Sequence, residues 1–406
     1  MSAEPGGDLV VRDALVFDGW SPELLEADVR IAGGVVAEIG PRLRVPGGVR
    51  EVAAAGCVVT PGLIDAHFHA YAVHLHTDAI ERTPLSYVAL AGQHRLSAAL
   101  RRGVTTVRDV AGGDAGIAKA IAEGHLASPR YLYTGAALSQ SGGHGDWRSV
   151  EDPGCAACGG HTCEVVDGVE PLRRTVRERF RQGAHAIKIM TSGGVVSYTD
   201  PIRIPQYSPE EIAVVVAEAT RRGSYVAAHA YSPEAIVHSV GNGVRSIEHG
   251  NLLDGPTAAV MAAADAFLVP TLAAYDAMDR RGVEVGLAPV SRAKNAEVLR
   301  SGQEAVEIAR AAGVRTGWGS DLMGELADEQ LTGLRLQAEV LGPLGALRAA
   351  TRTNAALLQR DDLGRVEPGA RGDLVLWNGN PLEDLAVVWD EKHPRTVVQG
   401  GTVLTL

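Results

Sequence analysis

The sequence predicts an α/β protein: a (β/α)8 TIM barrel joined to a small β-sandwich built from both ends of the chain. Three observations point there. The two ends carry β-type patterning with no convincing helix between their strands. The long middle alternates short apolar strands with helical segments, the pattern of parallel strands joined by crossover helices. Histidine, lysine and aspartate recur at the ends of those strands, where such barrels gather their functional groups.

The N-terminal strands are Leu9-Val10-Val11, Ala14-Leu15-Val16-Phe17, Val35-Val36-Ala37-Glu38-Ile39 and Cys57-Val58-Val59, punctuated by Gly33-Gly34 and Pro46-Gly47-Gly48. From Pro61 onward, strands are expected at 63–69, 104–110, 129–135, 185–191, 224–230, 245–249, 266–272 and 315–321. Residues 169–182 have helical spacing and stop at Gly183. Ser208-Pro209-Glu210-Glu211 is a capping box with proline in the first turn, opening a helix that runs to Arg222. Two more helices, 328–341 and 344–359, precede the return of β character at 372–377 and 395–404. The expected units are therefore 1–60 with 366–406 as the sandwich, and 61–365 as the barrel.

The chain has 406 residues, 46% apolar and 21% charged, ordinary for a globular protein with a large core. Its net charge of -11 and the lack of a basic run argue against nucleic acid or an anionic membrane as partner. No secretory signal is seen, and no apolar run reaches the ~20 residues that span a bilayer. Four cysteines are too few for a disulfide framework. The expected setting is the cytoplasm, with a small-molecule substrate and a homo-oligomeric assembly.

The chemistry starts at Thr60-Pro61-Gly62-Leu63-Ile64-Asp65-Ala66-His67-Phe68-His69. On a strand, side chains alternate, so His67 and His69 share a face and form a ready pair of metal ligands. The fourth strand contributes Lys188, the fifth His229, the sixth His249 and the eighth Asp321. Each has an ordinary alternative: a hydrogen-bonded core histidine, or a helix N-cap for Asp321. Lys188 is harder to explain away, because an unpartnered buried ammonium is costly. A desolvated amine can lose its proton and be carboxylated. The resulting carbamate has two oxygens and a negative charge, suited to bridging two divalent cations.

This set, Asp65-Ala66-His67-Phe68-His69 with Lys188, His229, His249 and Asp321, resembles the metal-dependent amidohydrolase superfamily, of the type with two metals and a carboxylated lysine. Ser141-Gly142-Gly143-His144-Gly145, Lys188-Ile189-Met190-Thr191-Ser192-Gly193-Gly194, His229-Ala230-Tyr231 and Ile247-Glu248-His249-Gly250-Asn251 are similar to its prolidase-like, imidazolonepropionase-related branch. The tail, 363–375, resembles the family's return strand. Imidazolonepropionase uses no bridging lysine, so Lys188 favours the dipeptidase-like side. The resemblance implies that His67, His69 and Asp321 hold one metal and that His229 and His249 hold the other. Carboxylated Lys188 and a hydroxide would bridge them, with zinc the expected ion. It also implies that Asp321 carries a proton to the leaving amine, while His144 and Tyr231 polarise the scissile carbonyl. The implied reaction is cleavage of an amide or peptide-like C–N bond, in a dipeptide or N-acyl amino acid. A carbamate, urea, cyclic amide or lactone is the alternative, and a scaffold that has lost its metals the non-catalytic one.

Cys155, Cys158, His161 and Cys163 form a C-x2-C-x2-H-x-C run in a loop expected over the barrel mouth, too compressed for a well-spaced structural zinc site, and free thiols or an adventitious site are expected there instead. His74 and His76 are expected against a helix or solvent. His94, His125, His185, His238 and His393 show no partner pattern.

Overall fold

The computed structural model describes residues 8–148, 151, 160–197, 200–390 and 392–404. Strands from both ends of the chain share one eight-stranded sheet. Val58–Pro61 lies at its centre, parallel to Leu9–Val16 on one side and antiparallel to Leu374–Trp377 on the other. Arg395–Gln399 and Thr402–Val403 extend the latter edge. Inward residues of both ends, among them Leu9, Val29, Ile31, Val59, Leu374 and Val398, form one core.

Two details differ from the expectation. The segments around Leu9 and Leu15 are one strand with a bulge, where Asp13 takes φ 55. Leu25–Ala32, not anticipated, pairs with it. Its alternation was legible, with Ala27, Val29 and Ile31 pointing inward. The polar residues between them, including a buried Asp28 that Arg12 binds at 2.7 Å, masked the pattern.

The barrel strands are Leu63–Phe68, Val104–Asp109, Arg130–Tyr133, Ile187–Met190, Val226–Ala230, Ser246–His249, Phe267–Val269 and Arg315–Thr316. Neighbours pair in parallel. The third strand breaks at Gly135 (φ 74) and resumes as Ala137–Ser139, which pairs with the fourth. The eighth is much shorter than 315–321, and its seam with the first is closed by two backbone bonds, from the Ala66 amide to the Trp318 carbonyl (3.0 Å) and from the Asp321 amide to the His67 carbonyl (2.8 Å), and by side chains. Asn354 donates to the carbonyls of Ile64 (2.6 Å) and Trp318 (2.7 Å), and Asp65 accepts from the Ser320 hydroxyl (2.6 Å) and from Gln330 (2.9 Å). Buried backbone groups need partners, and these side chains supply them where a ladder would.

The capping box forms as read: Ser208 accepts from the Glu211 amide, and the Glu211 carboxylate accepts from the Ser208 amide at 2.8 Å. Thr332–Arg348 kinks at Gly342-Pro343, the expected break between two helices. No helix among the described residues is long and apolar enough to cross a membrane.

Candidate active site

The strand ends converge on a cavity of about 100 Å³. His67, His69, His144, Lys188, His229, Tyr231, His249 and Asp321 all line it. Val195, Met278, Leu322 and Leu326 give it an apolar wall.

His67 ends the first strand, and its neighbours define the rest. Its Nδ1 lies 2.7 Å from Glu248, whose other oxygen accepts from Arg108 (2.7 Å) and Ser246 (2.5 Å). An ionised carboxylate can only accept, so Nδ1 donates to Glu248 and Nε2 is the nitrogen turned toward Asp321 and the cavity. Burial opposes ionisation of Glu248, but Arg108 and His67 outweigh it and hold the carboxyl well below its usual range. Glu248 and Arg108 are both fully buried. The sequence reading passed over the pair, although a buried carboxylate and guanidinium on apolar strands are the same signal that marked Lys188. Glu248→Gln is expected to weaken cation binding by about 10- to 100-fold, as loss of an outer-shell partner does. It should also lower Tm, because buried Arg108 loses its counter-charge. Competition with a chelator and thermal unfolding check the two effects.

Asp321 follows the eighth strand with φ 52. Its Oδ1 lies 2.9 Å from His69 Nε2 and 3.3 Å from His67 Nε2. These three side chains offer ligand atoms within 4.8 Å of one another. Burial again opposes ionisation, and His67 and His69 overcome it, keeping the Asp321 carboxyl well below its usual range.

The second group sits beside the first. Strand register sets Met190 against His229 and Ala230 against His249, which brings the His229 and His249 rings to 4.5 Å. Burial, reinforced for His229 by His144 and His249, pushes both imidazoles well below their usual pKa and favours their neutral form. Lys188 is 2% exposed and makes no ion pair or hydrogen bond among the described residues. Burial lowers its pKa against the pull of Glu248 and Asp321.

His144 stacks on His229 at 4.2 Å. Its Nδ1 meets Ser197 Oγ at 2.9 Å and Asp200 at 3.5 Å. The Gly194 backbone runs against the His144 ring, where an added Cβ would sit 2.0 Å from Cε1. Gly194→Ala should therefore displace His144 while leaving cation content unchanged, measured as a fall in kcat/KM at constant metal stoichiometry. Lys294 fixes the same loop by donating to the carbonyls of Gly194 (3.0 Å), Ser197 (2.8 Å) and Asp200 (2.9 Å). Tyr231 stacks on His249 at 5.0 Å.

Cys155 and Cys158 lie outside the described residues. Cys163 is a free thiol, but buried in the cavity wall rather than over the mouth, and burial pushes its pKa up to about 12. His185, His238 and His393, read as partnerless, each meet a backbone carbonyl, and burial lowers His185 to about 4.

Known proteins share this arrangement at the level of whole chains. A solved prolidase complexed with N-methylphosphonate-L-proline is 42% identical, with a TM-score of 0.95 and coverage of 98% of this chain and 99% of that one. A Xaa-Pro dipeptidase structure with bound methionine is 26% identical, with a TM-score of 0.87 over 98% of this chain and 100% of that one. Ochratoxinase from Aspergillus niger is 32% identical over 97% of this chain and 85% of its own length. The profile of the amidohydrolase family matches residues 58–404, a range that takes in the barrel and the return strands, and the chain belongs to that family.

Proposed function

We propose that this amidohydrolase cleaves the amide C–N bond of a dipeptide or N-acyl amino acid on a centre of two divalent cations. The observation that carries the reading is the convergence of all eight groups on one cavity with an apolar wall. The donor set fits the cations. His67 turns its Nε2 toward Asp321, burial favours the neutral forms of His229 and His249, and Asp321 is ionised. His67, His69 and Asp321 would hold one ion, and His229 and His249 the other. Zinc suits so imidazole-rich a set. Lys188 would join the two as a carbamate: the lone pair of its neutral Nζ adds to CO2, and an N–H proton leaves to solvent. When bound, the pair supplies Lewis acidity and lowers the pKa of water.

The residues of the chain do the rest. The Asp321 carboxylate accepts a proton from the attacking water and delivers it to the leaving nitrogen. Tyr231 and His144 stand at the wall as donors to the oxygen on which charge develops. The apolar side takes an uncharged substituent of the acyl or amino part and excludes water from the reacting carbonyl.

The test is release of amine by zinc-loaded enzyme from a library of dipeptides and N-acyl amino acids. Carbamates, ureas, cyclic amides and lactones are run beside it. The expected outcome is turnover concentrated in the amide set; a higher kcat/KM for any of the other groups would overturn the proposal.

A further inference from the structure

The loop after the fourth strand carries much of the wall of the site. Val195 and Val196 line the cavity, Gly194 runs against the His144 ring, and Ser197 Oγ meets His144 Nδ1 at 2.9 Å. The Gly193 carbonyl lies 3.1 Å from His229 Nε2. Regular structure does not hold this loop. Among the described residues of 193–204 there is neither helix nor strand, and a single bridge joins Ser192 to Pro205. Inside the loop, the buried Asp200 carboxylate accepts from the Gly194 amide at 3.0 Å.

Two side chains tie the loop to the long helix Pro289–Ala311. Arg203 pairs with Glu297 at 2.7 Å, but both side chains are exposed, and an exposed pair holds little. The other tie is Lys294. Its Nζ donates to the carbonyls of Gly194 (3.0 Å), Ser197 (2.8 Å) and Asp200 (2.9 Å). An ammonium has three N–H donors, and all three are used. The Gly194 carbonyl also accepts from Ser197 Oγ at 3.1 Å, so the cage and the hydroxyl that meets His144 share one atom. Backbone carbonyls converging on one positive charge are the way loops hold a monovalent metal ion. Here the charge is tethered to a helix.

We propose that Lys294 is a positioning residue: its ammonium stands in for a monovalent cation in a cage of three carbonyls, and the cage sets Gly194 and Ser197 against His144. The proposal rests on the reading of His144 as a donor to the reacting carbonyl. Removing the ammonium leaves the cage open to a free cation. Ammonium and potassium are alike in charge and size, whereas sodium draws its oxygens closer. Cut back to alanine, the side chain loses Cγ, Cδ, Cε and Nζ, which are the heavy atoms of propylammonium.

The experiment uses full-length, zinc-loaded Lys294→Ala, Lys294→Met, His144→Ala and the double variant of Lys294→Ala with His144→Ala. Tetramethylammonium chloride keeps the ionic strength constant, and zinc is counted in every sample. Lys294→Ala is expected to keep its zinc and lose ~10² in kcat/KM, the cost of a small misplacement by a residue outside the chemistry. Propylammonium should restore most of that loss with saturation, potassium part of it and sodium little. The wild type should respond to none of them. Lys294→Met, whose stem fills the space, should lose as much and recover nothing. In the His144→Ala background, Lys294→Ala should cost little more, because it acts through His144. The Tm of Lys294→Ala should rise with propylammonium over tetramethylammonium, as binding to the folded state requires. Lost zinc, no recovery with propylammonium or potassium, or multiplying losses in the double variant would overturn the proposal. If Lys294→Ala does not fold in plain buffer, folded protein recovered only with propylammonium upholds the cage, and aggregation in every salt overturns it. A wild-type enzyme that turns over no amide would instead sink the proposed reaction, while the Tm comparison still decides the cage.

Discussion

Lys188→Ala is expected to lose bound cation and activity together while keeping the fold. The two halves of that expectation have different causes. The Nζ makes no hydrogen bond or ion pair among the described residues, so its removal leaves no partner unsatisfied. Deleting a buried group of that kind does not carry the penalty that follows when a donor or acceptor is orphaned. Tm should hold or rise. The loss of cation comes from the missing bridge, and should exceed the 10- to 100-fold typical of an outer-shell partner. A short carboxylic acid in the buffer has the charge and the paired oxygens of the carbamate, and should restore part of the rate in the space the side chain vacates. Two cations per chain with full activity in Lys188→Ala would exclude the carbamate.

Asp321→Asn is expected to retain near-normal cation content and lose at least ~100-fold in kcat, the low end of the range for a positioned acid–base group. Asparagine tolerates the left-handed φ of 52 as readily as aspartate, so the backbone has no reason to move. Its amide oxygen can take the place of the Oδ1 that faces His69 at 2.9 Å and His67 at 3.3 Å. What it cannot do is accept a proton and hand it on. The loss should therefore be largest for basic amine leaving groups, which need the proton most, and smaller for an anilide or activated ester. The measurement is kcat on two substrates that differ in leaving-group basicity, with metal counted in the same samples. Equal losses would leave Asp321 as a ligand alone; full activity with cations present would remove it from the mechanism.

The strand ends were legible in the sequence because each places a polar residue at the limit of an apolar run. His229 follows Val226-Ala227-Ala228, His249 closes Ser246-Ile247-Glu248-His249 and Lys188 interrupts Ala186–Met190, so the strand pattern located them. Glu248 and Arg108 sit deeper in the barrel, where the sequence shows only a charge beside a histidine and a charge within a strand. Their meaning appears when two strands distant in the chain are brought to 2.7 Å. Tyr275 and Thr271 were illegible for a different reason. The segment 266–272 reads as one strand, yet the chain leaves it after Val269, and the turn at Thr271 brings the Thr271 and Tyr275 hydroxyls each to 2.8 Å from His249 Nδ1. Nothing in the residue types announces a β-branched residue in a left-handed turn. Side-chain bonds from Asp65 and Asn354 supplement the two backbone bonds that join 318–321 to the first strand, and propensity is blind to such bonds.

The shared sheet also constrains the order in which the molecule can be made. Val58–Pro61 has Leu15–Val16 on one edge and Leu374–Trp377 on the other. The indole of Trp377 donates to Thr60 Oγ1 at 2.9 Å across 317 positions of sequence. A chain emerging from the ribosome has its early strands ready while this edge stays bare until nearly the whole barrel has been synthesised. Long-range pairing of this kind is slow to close, and an open apolar edge invites strands from other chains. Premature termination before Leu374 would thus release a product with a complete set of barrel strands and an unsealed sheet, a species for quality control to remove. The return strand is thus the last piece of this part of the sheet to be made, and its pairing leaves Val58–Pro61 with no free edge.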